Sequence, residues 1–173
     1  MNKLAEACNI SVGTLYMYYK DKEDLFQRLG VEYSKAYYDS MLLDFSLDMS
    51  FTDGLWKQWE NRIQFALEYP KKVAFHHMLQ VSQYSEYVMT GTQKPLTELF
   101  TQFIQNCISK NEIKPVSYEV FWCIAYCPLY TLIGFHSRGR GYDEKPYHLN
   151  EKDMKACFET VVEALSLKPI LNK

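Results

Sequence analysis

The chain has 173 residues, of which 47% are hydrophobic and 16% aromatic, and its formal net charge is −2. That is enough apolar material for a substantial core. The near-neutral balance excludes a protein that grips polyanions over its whole surface, so any nucleic-acid contact has to be local. Five cysteines, an odd number without a C-x-x-C pair, argue against a disulfide framework and for a reducing compartment such as the cytoplasm.

At the amino end, Lys3–Cys8 reads as a short helix with Leu4, Ala5 and Cys8 on one side. Asn9 and Ile10 form a turn, where Asn tolerates a left-handed backbone. Ser11 is a good N-cap for a second short helix, Val12–Tyr18. Leu15 and Tyr19, four apart, share a face and should pack inward. Two short helices joined by a tight turn match the helix-turn-helix pattern, whose second helix enters the major groove. Asp21 then caps a third helix, and Leu25, Leu29, Tyr33 and Ala36 recur at helical spacing to about Leu43. Gly30 lies inside this helix and suggests close packing or a soft point.

Residues 44–52 read as a loop, followed by a helix over Asp53–Glu68 with Leu55, Trp56, Trp59, Ile63, Ala66 and Leu67 on one stripe. Pro70 suits the first turn of a further helix, Lys71–Gln83, presenting Val73, Ala74, His77, Met78 and Val81. Thr90-Gly91-Thr92 reads as a turn and Pro95 as a helix start, with a strong period from Leu96 to Lys110 and a left-handed cap at Asn111. Ser117 caps a long helix to about Ser137. It is apolar nearly all round, hence buried, and Pro128 should kink it. Residues 138–149 form a loop. Asn150 opens the last helix, with Met154, Phe158, Val161, Val162 and Leu165 in a stripe that ends at Lys168-Pro169. The fold class is all-α, without a strand signal or an internal repeat.

The stretch LAEACNISVGTLYMYYKDKEDLF resembles the DNA-binding segment of the TetR family of transcriptional regulators. The resemblance rests on Ala5, Ser11, Gly13-Thr14-Leu15-Tyr16, Tyr19, Lys22 and Leu25-Phe26, continuous over this segment. It implies a helix-turn-helix head over residues 1–30 and a helical ligand-binding and dimerisation domain over 31–173. Family members carry another helix before this segment, so the chain is expected to start at the second. The first thirty residues balance Lys3, Lys20, Lys22 and Arg28 with Glu6, Asp21, Glu23 and Asp24, a weak electrostatic footprint for a DNA reader.

Residue chemistry and resemblance together make Ser11, Val12, Gly13, Thr14, Tyr16, Met17, Tyr18, Lys20 and Lys22 the candidate DNA contacts. Thr14, Tyr16 and Lys22 would go to the backbone, with Val12, Gly13 and Tyr18 nearer the bases. In the middle helices Trp59, Phe65, Phe75, Met78, Tyr84, Phe100, Phe103, Trp122, Tyr126 and Tyr130 are candidates to line a site for an apolar or aromatic effector. Each taken alone is more often a core residue. Cys123, Cys127 and Cys157 read as core cysteines before a thiol sensor, and the adjacent His76 and His77 make a poor metal pair.

No cofactor or metal is expected, and no Gly-rich phosphate loop or G-x-S-x-G points to an enzyme. The chain opens without the apolar run of a signal peptide. Val120–Phe135, the longest uncharged run, is shorter than a bilayer span needs and contains Pro128. The expected partners are operator DNA, a small effector and a second copy docked through residues 117–137 and 151–166, with no membrane. The reading that follows is a ligand-responsive repressor. A dimeric small-molecule or partner-binding module without DNA activity stands beside it.

Overall fold

The computed structural model describes residues 1–88 and 94–167. It is all-helical: α1 (Asn2–Ala7), α2 (Val12–Tyr18), α3 (Lys22–Met41), α4 (Phe51–Glu68), α5 (Pro70–Gln80), α6 (Ser85–Val88), α7 (Lys94–Ser109), α8 (Tyr118–Ala125), α9 (Cys127–Arg138) and α10 (Glu151–Leu165). Among the described residues there are no strands, only isolated bridges between Ile113 and Ser166 and between Arg140 and Pro146. The expected turn at Thr90-Gly91-Thr92 and the stop at Lys168-Pro169 lie outside the described residues.

Two compact units divide the chain. The first comprises Met1–Tyr38 and Lys71–Pro95. Its interior holds Ala5, Leu15, Leu25, Tyr37, Tyr38 and Leu79. In α1 only Ala5 is buried; Leu4 and Cys8, expected on the same side of the helix, are exposed. The face expected of α5 is likewise turned. His76 and Leu79 go inward, three apart, while Ala74, His77, Met78 and Val81 are exposed. One residue of register rotates a helix by about 100°, and the apolar residues of α5, Val73, Ala74, Phe75, Met78 and Leu79, spread too far round the helix for its sequence to choose the face. His76 Nδ1 sits 3.2 Å from the Ser34 hydroxyl. The Tyr37 and Tyr38 rings lie near its imidazole, at centroid separations of 5.2 and 5.8 Å.

The second unit comprises Asp39–Pro70 and the chain from Leu96 onward. α4 begins two residues before the expected Asp53, because Ser50 Oγ accepts from the Asp53 amide at 3.1 Å and caps the helix there. Phe51, Leu55, Trp59, Ile63, Phe65 and Ala66 are buried, whereas Leu67, expected on the stripe, faces solvent. Three polar residues of α4 are buried as well: Gln58, Asn61 and Arg62. Gln58 Nε2 donates to the Met41 carbonyl at 2.6 Å. Asn61 Nδ2 donates to Met41 at 3.1 Å and to Leu43 at 2.8 Å. These amides satisfy carbonyls that the end of α3 leaves without helical partners, and Asp44 turns the chain with φ 54°.

Gly54 faces Phe103 so closely that a Cβ would lie 2.5 Å from its Cζ. α7 ends as expected at a left-handed Asn111, φ 57°. The long apolar helix expected from Ser117 is two helices that meet at Tyr126. Pro128, near the start of α9, has no N–H for the Ile124 carbonyl, and proline fits a first turn better than a helix interior. The run is also not buried all round. Phe121, Ala125, Tyr126, Leu129 and Ile133 go inward, but Val120, Cys123, Cys127 and Thr131 are exposed. Tyr118–Arg138 is, by length and composition, long and apolar enough to cross a membrane, contrary to the expectation from the shorter uncharged run. Its inward residues belong to the core of this unit, where α8 and α9 pack against α10. Asn150 caps α10 by accepting from the Asp153 amide at 2.9 Å. Phe158 of α10 meets Trp56 and Trp59 edge-on, at 4.8 and 5.3 Å.

Candidate nucleic-acid interface

The amino-terminal motif closes as its residue types dictate. Asn9 takes the left-handed conformation, φ 53°, and turns the chain out of α1. Ser11 is extended, and its hydroxyl accepts from the Thr14 amide at 3.0 Å. The Thr14 hydroxyl bonds the same Ser11 oxygen at 2.8 Å. Cap and third helical residue are thereby locked together at the tip of α2.

Leu15 is the one buried side chain of α2 and anchors it. Tyr19, the C-cap of the helix, is half-buried, with the Arg28 guanidinium 5.9 Å from its ring. On the other side Tyr16, Met17 and Tyr18 are exposed by 53, 82 and 68%. Three consecutive large apolar or aromatic residues held in water on a capped helix are costly to keep unless something covers them. Val12 is half-buried and Gly13 exposed. A Cβ at Gly13 would meet only Ser11 Oγ, at 3.6 Å, so nothing inside the head demands glycine there.

Lys20 and Lys22 are exposed where the chain leaves α2. Lys22 Nζ stands 5.5 Å from the Phe26 ring. The Lys20 amide donates to Asp24 at 2.9 Å, and Arg28 Nε reaches the other oxygen of that carboxylate at 2.8 Å. The amide first, then the guanidinium, hold the Asp24 carboxyl below its ordinary range. Arg28 is thus engaged within the head. An open groove of about 490 Å³ runs beside α2, lined by Met1, Asn2, Lys3, Leu4, Tyr16 and Lys22.

The candidate effector residues do not form one set. Phe75, Met78 and Tyr84 belong to the first unit. There Phe26 stacks on Tyr84 at 5.1 Å and on Phe75 at 6.0 Å, and Met78 is exposed. The other seven belong to the second unit. Trp59 is fully buried and donates from Nε1 to the Ala125 carbonyl at 2.9 Å. Phe100 and Phe103 meet Phe45 edge-on at 5.6 and 5.1 Å. Phe65 is buried beside Tyr69. Trp122 lies against Tyr126 at 4.7 Å and Tyr130 at 6.2 Å, and Trp122 and Tyr130 are only half-buried.

Sequence reasoning missed Arg62, at the centre of that aromatic group. It is fully buried. Its Nε donates to the Tyr130 hydroxyl at 3.1 Å, and its Nη1 to the Gln58 carbonyl at 3.1 Å and the Gln58 side-chain oxygen. The guanidinium lies 4.2 Å from the Tyr126 ring centroid and 5.3 Å from that of Phe100. The signal was legible: Gln58 and Arg62, four apart, flank Trp59 and Ile63 on the inward stripe. Burial raises the Tyr126 hydroxyl to about 12, with Arg62 pulling the other way. Among the described residues no group of three or more His, Cys, Asp or Glu side chains gathers in a way that would hold a metal ion. Cys107 is the core cysteine, while Cys123 and Cys127, expected in the core, are exposed.

The family model of bacterial regulatory proteins, tetR family, matches residues 1–29. No curated protein sequence matches the chain. Among solved structures, a TetR family transcription regulator from Marinobacter aquaeolei VT8 superposes with a TM-score of 0.74 at 22% identity, covering 96% of this chain and 84% of that one. A putative TetR family regulator from Vibrio parahaemolyticus gives 0.69 at 19% identity, covering 96% and 86%. One from Haemophilus influenzae RD gives 0.64 at 17%, covering 95% and 84%. The chain thus carries the amino-terminal segment of the tetR family on a TetR-type fold.

Proposed function

We propose that the protein is a cytoplasmic, homodimeric transcriptional repressor that reads operator DNA with α2 and is released by a small apolar or aromatic effector. The TetR-type fold supports a DNA-binding regulator. The observation that carries the finer reading is the exposed face of α2. Tyr16, Met17 and Tyr18 stand out from a helix that Leu15 anchors and Ser11 caps.

In this reading Met17, Tyr18 and Val12 address base edges. Thr14, Tyr16, Lys20 and Lys22 engage phosphates, with Ser11 holding the helix tip. Gly13 is small because the DNA backbone, rather than the protein, occupies the space beside it. Dimerisation through residues 117–137 and 151–166 would place two reading helices about 34–36 Å apart. The exposed Val120, Cys123, Cys127 and Thr131 on α8 and α9 support that face, together with Ala156, Thr160 and Ala164 on α10. An effector among Trp122, Tyr126, Tyr130 and Phe100 releases the operator only if it binds the released arrangement better than the DNA-bound one.

Selection from a random duplex pool with the full chain tests this. The expected product is an inverted repeat with half-sites one turn apart, bound at least tenfold less well by Tyr18→Ala and Met17→Ala at unchanged stability. Absence of any sequence-selective binding rejects it.

A further inference from the structure

Tyr118, Trp122, Tyr126 and Tyr130 follow one another at a spacing of four along α8 and α9. Helical hydrogen bonding carries this stripe across the junction, from the Tyr126 amide to the Trp122 carbonyl and from the Tyr130 amide to the Tyr126 carbonyl, both at 3.0 Å. The Trp122 ring lies 6.2 Å from Tyr118, 4.7 Å from Tyr126 and 6.2 Å from Tyr130. At about 100° per residue the stripe points away from Val120, Cys127 and Thr131, the face given above to the second copy. Tyr126 is buried, whereas Tyr118, Trp122 and Tyr130 are half-buried and give the group an edge to solvent.

Arg62 stands behind that edge, with Nε on the Tyr130 hydroxyl at 3.1 Å and its guanidinium over the Tyr126 ring. Burying an ion is costly enough that an apolar residue of similar volume usually serves a core as well. The charge acts on the whole group. Burial raises the hydroxyls of Tyr118 and Tyr126, and Arg62 opposes that rise at both. A tyrosine hydroxyl accepts and donates at once, so Tyr130 can accept from Arg62 while its own proton meets an anion at the edge. We propose that the effector site in this aromatic group selects a carboxylate: a flat apolar body lies against Trp122, and its anionic end meets the Tyr130 hydroxyl and the Arg62 charge. The inference rests on the effector reading above and names the charge class of its ligand.

Isothermal titration calorimetry on the full chain tests this with benzoate, naphthoate and biphenyl carboxylate, each beside its primary amide. The best-fitting acid should bind at least ~10-fold more tightly than its amide, the low end for a close pair of charges. In Arg62→Met that preference should vanish. Tyr130→Phe keeps the ring and should narrow the preference about fivefold, since a hydrogen bond to a charged acceptor is worth more than one to a neutral acceptor. Circular dichroism confirms that each variant is folded, and the Tyr130 variant decides if Arg62→Met does not fold. An acid that binds no better than its amide, or a preference unchanged in either folded variant, overturns the selectivity; the repressor reading then stands if a bound probe still releases the operator. Failure of every probe to bind rejects the site and its selectivity together. An acid preference that the variants lose, without any effect on operator binding, upholds the selectivity and rejects the repressor reading.

Discussion

The guanidinium of Arg62 lies 4.2 Å from the centroid of the Tyr126 ring, and both residues are buried. A planar cation over an aromatic face combines electrostatic attraction with stacking. Arg62→Lys keeps the charge but loses the fork that reaches Tyr130 and Gln58, and it stacks poorly. The expected cost is about 2 kcal/mol. Urea unfolding followed by tryptophan fluorescence reads it as a lower midpoint with an unchanged slope. Trp56, Trp59 and Trp122, the three tryptophans of the chain, all lie in the second unit and report on it directly.

Gly54 gives a second prediction for the same unit. An added Cβ would stand 2.5 Å from Phe103 Cζ, 2.7 Å from Cε2 and 3.4 Å from Phe45. Phe103 is itself buried and packs edge-on against Phe45. Gly54→Ala should therefore cost about 1–3 kcal/mol through overpacking, despite the better helix propensity of alanine. A thermal melt decides it; a variant that melts at or above the parent refutes the contact.

His76 makes the first unit sensitive to acid. Burial, then the neighbouring His77, pushes its imidazole from the ordinary 6.5 down to about 4. The folded state keeps it neutral where the unfolded chain is already protonated. Its contribution is complete above about pH 6.5 and drains away as pH falls through 4, to a total of about 3 kcal/mol. The His76 ring resonances should stay at their neutral position down to about pH 5, while those of a free imidazole move near 6.5. In His76→Gln the corresponding part of the pH dependence of stability should vanish.

Ser11→Ala removes the oxygen that accepts from the Thr14 amide and bonds the Thr14 hydroxyl. The local cost is about 1 kcal/mol. Hydrogen exchange at the Thr14 amide should accelerate about fivefold, while amides of α7 and α10 keep their protection. If α2 reads DNA, affinity falls in parallel, because the reading helix is less often formed.

The local features were legible because they are written in neighbouring residues. Ser11, Asp21, Ser117 and Asn150 each make the capping bond that their side chains favour, and Asn9 and Asn111 take the left-handed turns. Pro128 cannot continue a helix interior, and it stands in the first turn of α9, just past the point where two helices meet. The unexpected start of α4 is also local: Ser50 was available three residues before Asp53 and captured its amide.

What the amino-acid order alone determined is the helical class, most of the caps, the capped helix α2 and the likeness of its segment to a known family. These rest on interactions between residues at most four apart. What only the tertiary structure decided is which faces are closed. His76 goes inward beside Ser34 while Met78 does not, and Arg62 is enclosed by Tyr126, Tyr130 and Phe100. Cys123 and Cys127 are left in the open. Those outcomes depend on partners supplied from other helices. A helix period marks which residues share a face, but the neighbour that covers it decides whether that face is core or surface.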